Sequence, residues 1–467
     1  MTGEQDFLGK KVTVVGLGIE GVDLVRYLVG KGAQVTVSDM RTADRLAPRL
    51  RALEGVPVRL SLGANDPADA AAADMVFLSQ GVPLDNPAVI AARERRVPVN
   101  SMMRLFLQLC PGPVIGITGS SGKSTVTSLV GAMFAAAGKR HVVGGNIGVG
   151  LLSLLGEITP ETSVILEVSH TQLELTDRSP HVACVLNVTP NHLDRYGWPD
   201  YVNLKRNILR YQAEDDLAVL GYDDEVARSL AAETQARVAF FSADSDIQGP
   251  AAVLKDGAVV WRDSGIDTPV MPAADIPLRG RHNVSNVLAA TAIASVCGIA
   301  ADQIAAAVRG FQSVPHRLEL VAEIDGVTYY NDSIATTPER TLAGMRSFDE
   351  PLVLLLGGRE KHLPLEEMSR EACGRCRALV IFGEAGEKLA AAALAACDGV
   401  TPMNRPHLET VATLSDAVEA ASAAARPGDV VLLSPACTSF DAYDNFEERG
   451  EHFRRLVLAL RRTKGGP

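Results

Sequence analysis

The sequence predicts an α/β protein of three domains, and three observations carry this prediction. The chain has 467 residues, which at roughly 150 residues per domain corresponds to about three domains. Two glycine-rich turns, at 16–21 and 116–125, each follow a short apolar strand and precede a helix. Beyond residue 315, strand candidates alternate with helical segments, which is typical of a mostly parallel sheet. We therefore expect a Rossmann-like N-terminal domain, a P-loop ATPase-like central domain with a mostly parallel sheet, and a Rossmann-like C-terminal domain.

Composition excludes several classes of partner. The chain carries 45 Lys and Arg against 56 Asp and Glu, a formal charge of −11, which argues against the nucleic-acid backbone as a main ligand. Its apolar runs are no longer than a strand, so we expect no membrane span, and the first residues lack a basic signal region. These features predict a cytoplasmic protein. The seven cysteines do not suggest a disulfide framework, and we interpret the pair Cys373 and Cys376 as two small residues on one helix.

The first glycine-rich turn has the layout of a dinucleotide-binding unit. A strand at 11–15 runs into Gly-x-Gly-x-x-Gly at 16–21, a helix follows, and a second strand at 33–39 ends in Asp39. In this layout a pyrophosphate binds at the helix N-terminus and an acidic residue contacts the ribose. Arg41 is a further candidate for phosphate or a base edge. The pattern alone does not distinguish NAD from other pyrophosphates.

The second turn, Gly116–Thr125, resembles a phosphate-binding P-loop. Backbone N–H groups and the following helix N-terminus face an anion in such a loop. Lys123 is expected to reach the terminal phosphates, and Ser124 to offer its hydroxyl to Mg²⁺. Ile117 stands where the strict spacing has glycine, so the match is to the shorter Gly-x-x-Gly-Lys-Ser form. A glycine turn between core elements is the alternative.

Polar residues follow several further strands in the first two regions. After the apolar run 164–166, Glu167 is the candidate for a second Mg²⁺ ligand; its alternative is a carboxylate stabilised at a helix start. The loop after 183–186 contains His192, which we interpret as part of a site. Asn283 and Asn286 share a face of a predicted helix and are candidates for purine contacts, with helix capping as the alternative.

The Pro111-Gly112-Pro113 break marks the first domain boundary, and a change of pattern near residue 315 marks the second. We accordingly predict domains at 1–111, 112–313 and 314–467. In the last domain, polar loops at 331–333, 357–361 and 434–439 follow predicted strands, where ligands of open α/β sheets bind.

Taken together, the motifs resemble one family closely, although most of them are weak signals alone. They are Thr118 to Thr125, Glu167 with Gln172-Leu173-Glu174, Asn187-Val188-Thr189 with His192 and Asp194-Arg195-Tyr196, Gly280 with His282-Asn283 and Asn286, His316-Arg317-Leu318-Glu319, Asn331-Asp332-Ser333, Leu433 to Cys437, and Asn445-Phe446-Glu447 with Arg449-Gly450. In this order they resemble the Mur ligases, the ATP-dependent amide-forming enzymes of peptidoglycan precursor synthesis. The resemblance covers nearly the full length.

The resemblance implies that the three domains bind a UDP-muramoyl substrate, ATP and an amino acid, in chain order. Within the family the chain is most similar to members that join D-glutamate to UDP-N-acetylmuramoyl-L-alanine through an acyl phosphate. The first glycine turn would then hold UDP and not NAD. Ile334 stands where many members have lysine, and this departure leaves L-glutamate as an alternative acceptor. We expect a monomer that acts on small molecules and binds neither nucleic acid nor membrane.

The resemblance also implies roles for individual residues. Lys123, His192 and Lys205 would be catalytic, and two Mg²⁺ ions would be held by Ser124, Glu167, His192 and a Lys205 carbamylated by CO₂; an ordinary solvated lysine is the alternative at 205. The substrate-binding residues are Gly119, Ser120, Ser121, Gly122, Lys123, Ser124, Thr125, Asn283, Asn286, Arg317 and Asp332 for ATP; Gly18, Ile19, Glu20, Asp39, Arg41, Ser79, Gly81 and Asn146 for the UDP-substrate; and Thr336, Lys361, Ser439 and Phe446 for glutamate.

Other protein classes explain less of the chain. A folylpolyglutamate synthase-like ligase accounts for the ATP-binding and C-terminal regions but not for the N-terminal nucleotide turn. A nicotinamide-dependent oxidoreductase accounts for residues 10–41 but leaves the P-loop without a role. A non-enzymatic nucleotide-binding protein would bind ATP without acceptor-dependent release of phosphate.

Overall fold

A computed structural model describes residues 7–146, 150–190, 196–311, 314–398 and 405–464. It contains three β-sheets flanked by helices. The chain divides into two compact units, one of residues 1–276 with 284–311 and one of residues 277–283 with 312–467. The predicted α/β fold class is confirmed.

The first sheet is Rossmann-like, with five parallel strands in the order β3-β2-β1-β4-β5. Its elements are β1 Lys11–Val15, α1 Ile19–Gly30, β2 Gln34–Asp39, α2 Ala47–Ala52, β3 Val58–Leu62, α3 Pro67–Ala71, β4 Met75–Leu78, α4 Pro87–Glu94, β5 Val99–Ser101 and α5 Met102–Leu109. The turns after β1 and β4 lie at the carboxyl ends of neighbouring strands. This is where ligands of such sheets bind.

The second sheet has nine strands in the order β14-β13-β12-β11-β10-β9-β6-β8-β7. The β12–β13 and β13–β14 pairs are antiparallel, and the other pairs of this sheet are parallel. Its elements are β6 Val114–Thr118, α6 Lys123–Ala136, β7 His141–Gly145, β8 Ser163–Glu167, β9 Val182–Val185, α7 Trp198–Arg206, β10 Leu217–Gly221, α8 Glu225–Ser229, β11 Arg237–Ser242, β12 Ala251–Lys255, β13 Ala258–Asp263, β14 Ile266–Pro272, α9 Arg281–Val296 and α10 Ala301–Arg309. The central strands are almost wholly buried, as expected for a sheet covered on both faces.

The third sheet has six strands in the order β15-β16-β20-β17-β18-β19, and only β15 and β16 pair antiparallel. Its elements are β15 Glu319–Ile324, β16 Val327–Asn331, α11 Pro338–Met345, β17 Leu352–Gly357, α12 Glu366–Arg375, β18 Cys376–Phe382, α13 Gly386–Ala396, β19 His407–Thr410, α14 Leu414–Ala424, β20 Val430–Ala436 and α15 Phe446–Lys464. Because β16, β20 and β17 are adjacent, the three predicted polar loops begin side by side.

Two expectations about the third sheet are wrong. The predicted loop at 434–439 begins later, because β20 continues to Ala436 by pairing with Gly357. Cys373 and Cys376 do not share a helix: α12 ends at Arg375, and Cys376 pairs with Leu352 as the first residue of β18. Cys373 instead forms a disulfide bond with Cys397. Every helix in the described part of the chain is too short or too polar to cross a membrane.

Candidate active site

The loop between β6 and α6 has the conformation that its glycines permit. Gly122 has a left-handed backbone with φ of 85°, and a Cβ atom added there would lie 2.4 Å from the side-chain oxygen of Asn286. A Cβ atom on Gly119 would lie 2.9 Å from the Cβ atom of Leu186. Both positions therefore exclude larger residues. The backbone at the start of α6 stays free of side-chain bulk, as a phosphate-binding turn requires.

The segment after β9 holds this loop in place. The backbone N–H of Ser120 donates to the carbonyl oxygen of Asn187 at 2.9 Å, and that of Ser121 donates to the Asn187 side-chain oxygen at 2.9 Å. The Ser120 hydroxyl donates to the carbonyl oxygen of Thr189 at 2.9 Å. Sequence analysis assigned no role to Asn187 or Thr189, although both stand in a motif that carried the resemblance. Their position directly after a buried strand was the available signal.

Lys205 lies directly beneath the loop. Its side chain is 1% exposed, and Nζ donates to the carbonyl oxygen of Gly119 at 3.0 Å. Burial, followed by the nearby charge of Lys123, lowers the pKa of the Lys205 ammonium to about 7. The ring of Tyr201 packs against the amine, with its centroid 5.0 Å away. An ordinary solvated lysine, the alternative considered for this position, does not match this environment.

Glu167 is the last residue of β8 and is 2% exposed. Its Oε1 atom accepts a hydrogen bond from Asn146 at 2.9 Å, whereas Oε2 is buried without a hydrogen-bond partner among the residues that the structure describes. Gly145 brings the β7 backbone close, since a Cβ atom there would lie 2.2 Å from the Glu167 carbonyl oxygen. A buried oxygen without a partner is costly. A hard cation would compensate it, so the residues at this position fit Mg²⁺.

The remaining metal predictions have different outcomes. Ser124 lies in the first turn of α6, whereas His192 falls outside the described residues, and its role stays a prediction. Over the ranges that the structure describes, no group of three or more His, Cys, Asp and Glu side chains forms a ready metal centre. Asn146, which sequence analysis assigned to the UDP-substrate, contacts Glu167. It lies beside the candidate metal ligand.

The N-terminal turn contains two separate clusters. Asp39 accepts hydrogen bonds from the backbone N–H groups of Leu17 and Arg41, at 2.7 and 2.8 Å, and from the Arg41 guanidinium. Burial raises the pKa of the Asp39 carboxyl. The hydrogen bonds from Arg41 and Leu17 and the charge of Arg41 lower it by more, so the pKa lies below its ordinary value. Glu20, Ser79 and Gly81 instead line one small cavity. Gly18 caps α1 and Ile19 is its first residue.

In the second compact unit, Arg449 connects the loops that were predicted to bind glutamate. Its guanidinium is fully buried and donates to the hydroxyl and carbonyl oxygens of Ser333 at 3.0 and 2.9 Å. It also donates to the carbonyl oxygens of Cys437 at 3.1 Å and Gly357 at 3.3 Å. The ends of β16, β20 and β17 are therefore held together by one side chain. Sequence analysis had this arginine in a motif but gave it no role.

The four predicted glutamate residues lie on these loops and on the following helix. Lys361 donates to the Thr336 hydroxyl at 3.3 Å. Ser439 is buried, and Phe446 is the first residue of α15. The carbonyl oxygen of Phe446 accepts a hydrogen bond from the Ser333 hydroxyl at 2.8 Å. Cationic and hydroxyl donors are thus gathered at one edge of the third sheet.

The predicted ATP residues outside the P-loop fall in both compact units. Asn286 lies against Gly122 in the first unit. In the second unit, Asn283 donates to the carbonyl oxygen of Arg279 at 2.6 Å. Asp332 accepts hydrogen bonds from the Ser434 hydroxyl at 2.8 Å and the Leu318 backbone at 3.2 Å. Burial raises the pKa of its carboxyl to about 7, although these bonds and the charge of Arg317 lower it.

Comparison with known proteins agrees with this architecture. Three protein-family models match the chain: the Mur ligase MurD-like N-terminal domain at residues 10–101, the Mur ligase middle domain at 117–294, and the Mur ligase glutamate ligase domain at 316–437. Together they extend over most of the chain. The fold and the site define an ATP-dependent amide ligase of this architecture, and the chain belongs to the Mur ligase family.

Relatives match along nearly the whole length. A UDP-N-acetylmuramoylalanine–D-glutamate ligase of Symbiobacterium thermophilum is 41% identical over 97% of this chain and 99% of its own. Its counterpart in Acidobacterium capsulatum is 40% identical over 97% of each chain. Among solved structures, UDP-N-acetylmuramate-alanine ligase MurC of Thermotoga maritima covers 97% of this chain and 100% of its own, with a TM-score of 0.60 at 19% identity. That likeness supports the fold.

Proposed function

We propose that this protein joins D-glutamate to UDP-N-acetylmuramoyl-L-alanine, with ATP converted to ADP and phosphate, in peptidoglycan precursor synthesis. The observation that carries the proposal is the similarity to ligases of that name, at 41% identity over 97% of this chain. The buried lysine beneath the P-loop and the glutamate with an uncompensated oxygen are consistent with a phosphoryl-transfer site.

The reaction follows from the chemistry of carboxylates. The alanyl carboxylate is a poor acyl donor, so its oxygen attacks the γ-phosphorus of ATP while the bond to the bridging oxygen breaks and ADP leaves. The glutamate amine then attacks the acyl carbon, loses a proton and expels phosphate. Both steps gather negative charge. Lys123 and the backbone N–H groups at the start of α6 would stabilise that charge at the phosphates.

Ser124, Glu167, His192 and carbamylated Lys205 would hold two Mg²⁺ ions. When bound, these ions supply charge neutralisation at the phosphoryl and carboxylate oxygens. Glu167 contributes the buried oxygen for which the described part of the chain supplies no hydrogen-bond partner. Asn146 orients this carboxylate through its hydrogen bond to Oε1.

Carbamylation of Lys205 requires a neutral amine, and its surroundings favour one. The uncharged nitrogen attacks CO₂, an N–C bond forms, and one proton leaves to solvent. The carbamate keeps one N–H, which can still donate to the carbonyl oxygen of Gly119. Carbamylation replaces the cationic form of Lys205 with an anion. The repulsion between Lys205 and Lys123 thereby becomes an attraction.

The residues that bind the three substrates are assigned by their positions in the fold. Gly18, Ile19, Asp39 and Arg41 would bind the uridine diphosphate portion at the first turn. Thr336, Lys361, Ser439 and Phe446 would bind glutamate, and Asn283, Asn286, Arg317 and Asp332 would bind the nucleoside and phosphates of ATP. We assign D-glutamate and not L-glutamate as the acceptor, because the relatives that match along nearly the whole length are named for D-glutamate. We further propose that the protein is a monomer and that it acts in the cytoplasm.

Acceptor-dependent phosphate release tests the proposal. The purified protein is incubated with ATP, Mg²⁺ and UDP-N-acetylmuramoyl-L-alanine, and phosphate is measured with D-glutamate, with L-glutamate and without acceptor. We expect release with D-glutamate only. Release with L-glutamate alone would reverse the stereochemical assignment. ATP binding without release for either acceptor would favour a non-enzymatic nucleotide-binding protein.

A further inference from the structure

Glu20 is an acidic residue at a turn assigned to an acidic ligand. It is the second residue of α1, within the Gly-x-Gly-x-x-Gly turn. Its Oε1 atom accepts two hydrogen bonds, from the side-chain amide of Gln80 at 2.6 Å and from that of Gln172 at 2.5 Å. Two amide donors that converge on one oxygen hold the carboxylate of this first-turn residue in a fixed position.

The Gln172 side chain is itself immobilised. It is 2% exposed, and its oxygen accepts the backbone N–H of Ser169 at 2.8 Å. The Ser169 hydroxyl in turn accepts the backbone N–H of Gln172 at 3.2 Å. Ser169 lies two residues beyond Glu167, so Glu20 is linked through Gln172 to the segment that follows the candidate metal ligand.

The charged groups around Glu20 do not neutralise it. Asp23 lies one turn further along α1 and adds a like charge, and Glu174 lines the same small cavity. That cavity, over the residues described, is lined by no basic side chain. Arg104, on the helix α5 packed beside it, is paired with Asp177 at 2.6 Å. Burial and Asp23 raise the pKa of Glu20, although the two amide donors lower it.

We propose that Glu20 takes up a proton when the pyrophosphate of the UDP-substrate binds at this turn, so that binding is coupled to protonation of the protein. The proposal rests on the assignment of this turn to the UDP-substrate. A carboxylate and a pyrophosphate at one helix N-terminus repel each other, and the partly buried site weakens screening by water. A protonated Glu20 removes the repulsion, and its O–H becomes a hydrogen-bond donor for a phosphate oxygen. The proton comes from solvent, and no covalent bond between heavy atoms changes.

The variant Glu20→Gln separates this electrostatic role from a purely structural one. A glutamine oxygen at position 20 can still accept hydrogen bonds from Gln80 and Gln172, whereas the titratable charge is lost. Glu174→Gln removes the other acidic group of the same cavity and serves as the matched control. Thermal unfolding of both variants establishes that they are folded before binding is compared.

Calorimetry measures the proton directly. UDP-N-acetylmuramoyl-L-alanine is titrated into the full-length protein without ATP or Mg²⁺, in two buffers of different ionisation enthalpy, at about pH 7 and about pH 8. This ligand has a diester pyrophosphate, which does not titrate in that range. We expect the wild type and Glu174→Gln to take up protons when the ligand binds, up to one proton per ligand. We expect Glu20→Gln to take up no proton. The ratio of its affinity to that of the wild type should increase by up to about tenfold for each unit of pH, as one-proton linkage requires.

The outcomes distinguish the inference from the function on which it rests. Binding without proton uptake by the wild type, or equal uptake by the wild type and Glu20→Gln, would overturn the role of Glu20 and leave the ligase assignment intact. If the ligand binds none of the three proteins, the assignment of the turn to the UDP-substrate fails, and this inference is refuted with it.

Discussion

Lys205 and Lys123 share one hydrogen-bond acceptor: the Nζ atom of each lies 3.0 Å from the carbonyl oxygen of Gly119. Two ammonium groups on one oxygen atom repel each other, and Lys205 is the one that is buried. The arrangement is therefore unfavourable for two cations and favourable for a cation beside a neutral or anionic group. The charge on Lys205 therefore acts directly on the phosphate loop through the shared Gly119 carbonyl oxygen.

The first prediction concerns the carbamate on Lys205. The pKa of the unmodified Lys205 ammonium is lowered to about 7, so the amine is mainly neutral above pH 7 and mainly protonated below it. Nuclear magnetic resonance with ¹³C-labelled CO₂ is expected to show a carbamate signal that grows between about pH 6 and pH 8. Lys205→Met is expected to lack both signal and activity without a lower unfolding temperature, because the buried amine is removed. A carbamate signal that persists in Lys205→Met would assign it to another group.

The second prediction concerns Glu167. Glu167→Gln keeps an oxygen for Asn146 and removes the buried charge. We expect ligase activity to fall by at least about 100-fold, a loss of about 2.7 kcal/mol in transition-state stabilisation. We expect the protein to unfold at no lower temperature in Mg²⁺-free buffer. The diagnostic measurement is the Mg²⁺ dependence of unfolding in the presence of ATP, which should weaken in the variant. An unchanged Mg²⁺ dependence would exclude Glu167 as a ligand.

The third prediction concerns Asp332 and pH. Its folded pKa is raised to about 7 from 3.8, so the native state holds a proton that the unfolded chain releases. The contribution of Asp332 to stability is full at low pH and is lost as pH rises through 7. Relative to the wild type, Asp332→Asn should gain about 1 to 2 kcal/mol in unfolding free energy between pH 5.5 and pH 7.5. Denaturant unfolding at both pH values checks this, and a pH-independent difference would contradict it.

The fourth prediction concerns Arg449. A lysine cannot reproduce the fork that contacts Ser333, Cys437 and Gly357. We expect Arg449→Lys to destabilise the protein by about 3 kcal/mol, as for breaking a buried charged network, and to raise the KM for glutamate more than the KM for ATP. Arg455→Lys changes an exposed arginine on the same helix and should stay within about 0.5 kcal/mol of the wild type. Equal effects of the two substitutions would remove the special role of Arg449.

The fifth prediction uses two glycines with positive φ. Gly122 and Gly138 have φ of 85° and 65°, but an added Cβ atom is 2.4 Å from Asn286 at the first and has open space at the second. Gly138→Ala should cost about 1 kcal/mol and leave ATP binding intact. Gly122→Ala should abolish ATP binding measured by calorimetry, because the added Cβ atom meets Asn286 at a left-handed backbone position that favours glycine. Normal ATP binding by Gly122→Ala would show that the loop tolerates a side chain.

Local pattern was sufficient for the strands that carry the site. Residues 11–15 were predicted as a strand and form β1, and the helix predicted after the P-loop is α6. Such segments are read correctly because apolar periodicity and glycine turns act over a few residues. The exception, Cys376, shows the limit: strand pairing with Leu352 determined where α12 ends.

By itself, the sequence determined the α/β class, the P-loop and the family, and it made Glu167 a candidate ligand, because each motif is a short contiguous run and the motifs follow a recognisable order along the chain. Only the tertiary structure decided which side chains share an environment. The contact of Glu20 with Gln172, the burial of Lys205 under Gly119, and the four bonds of Arg449 join residues distant in the chain. Burial and neighbouring charges set their protonation, and both depend on residues that no local pattern specifies.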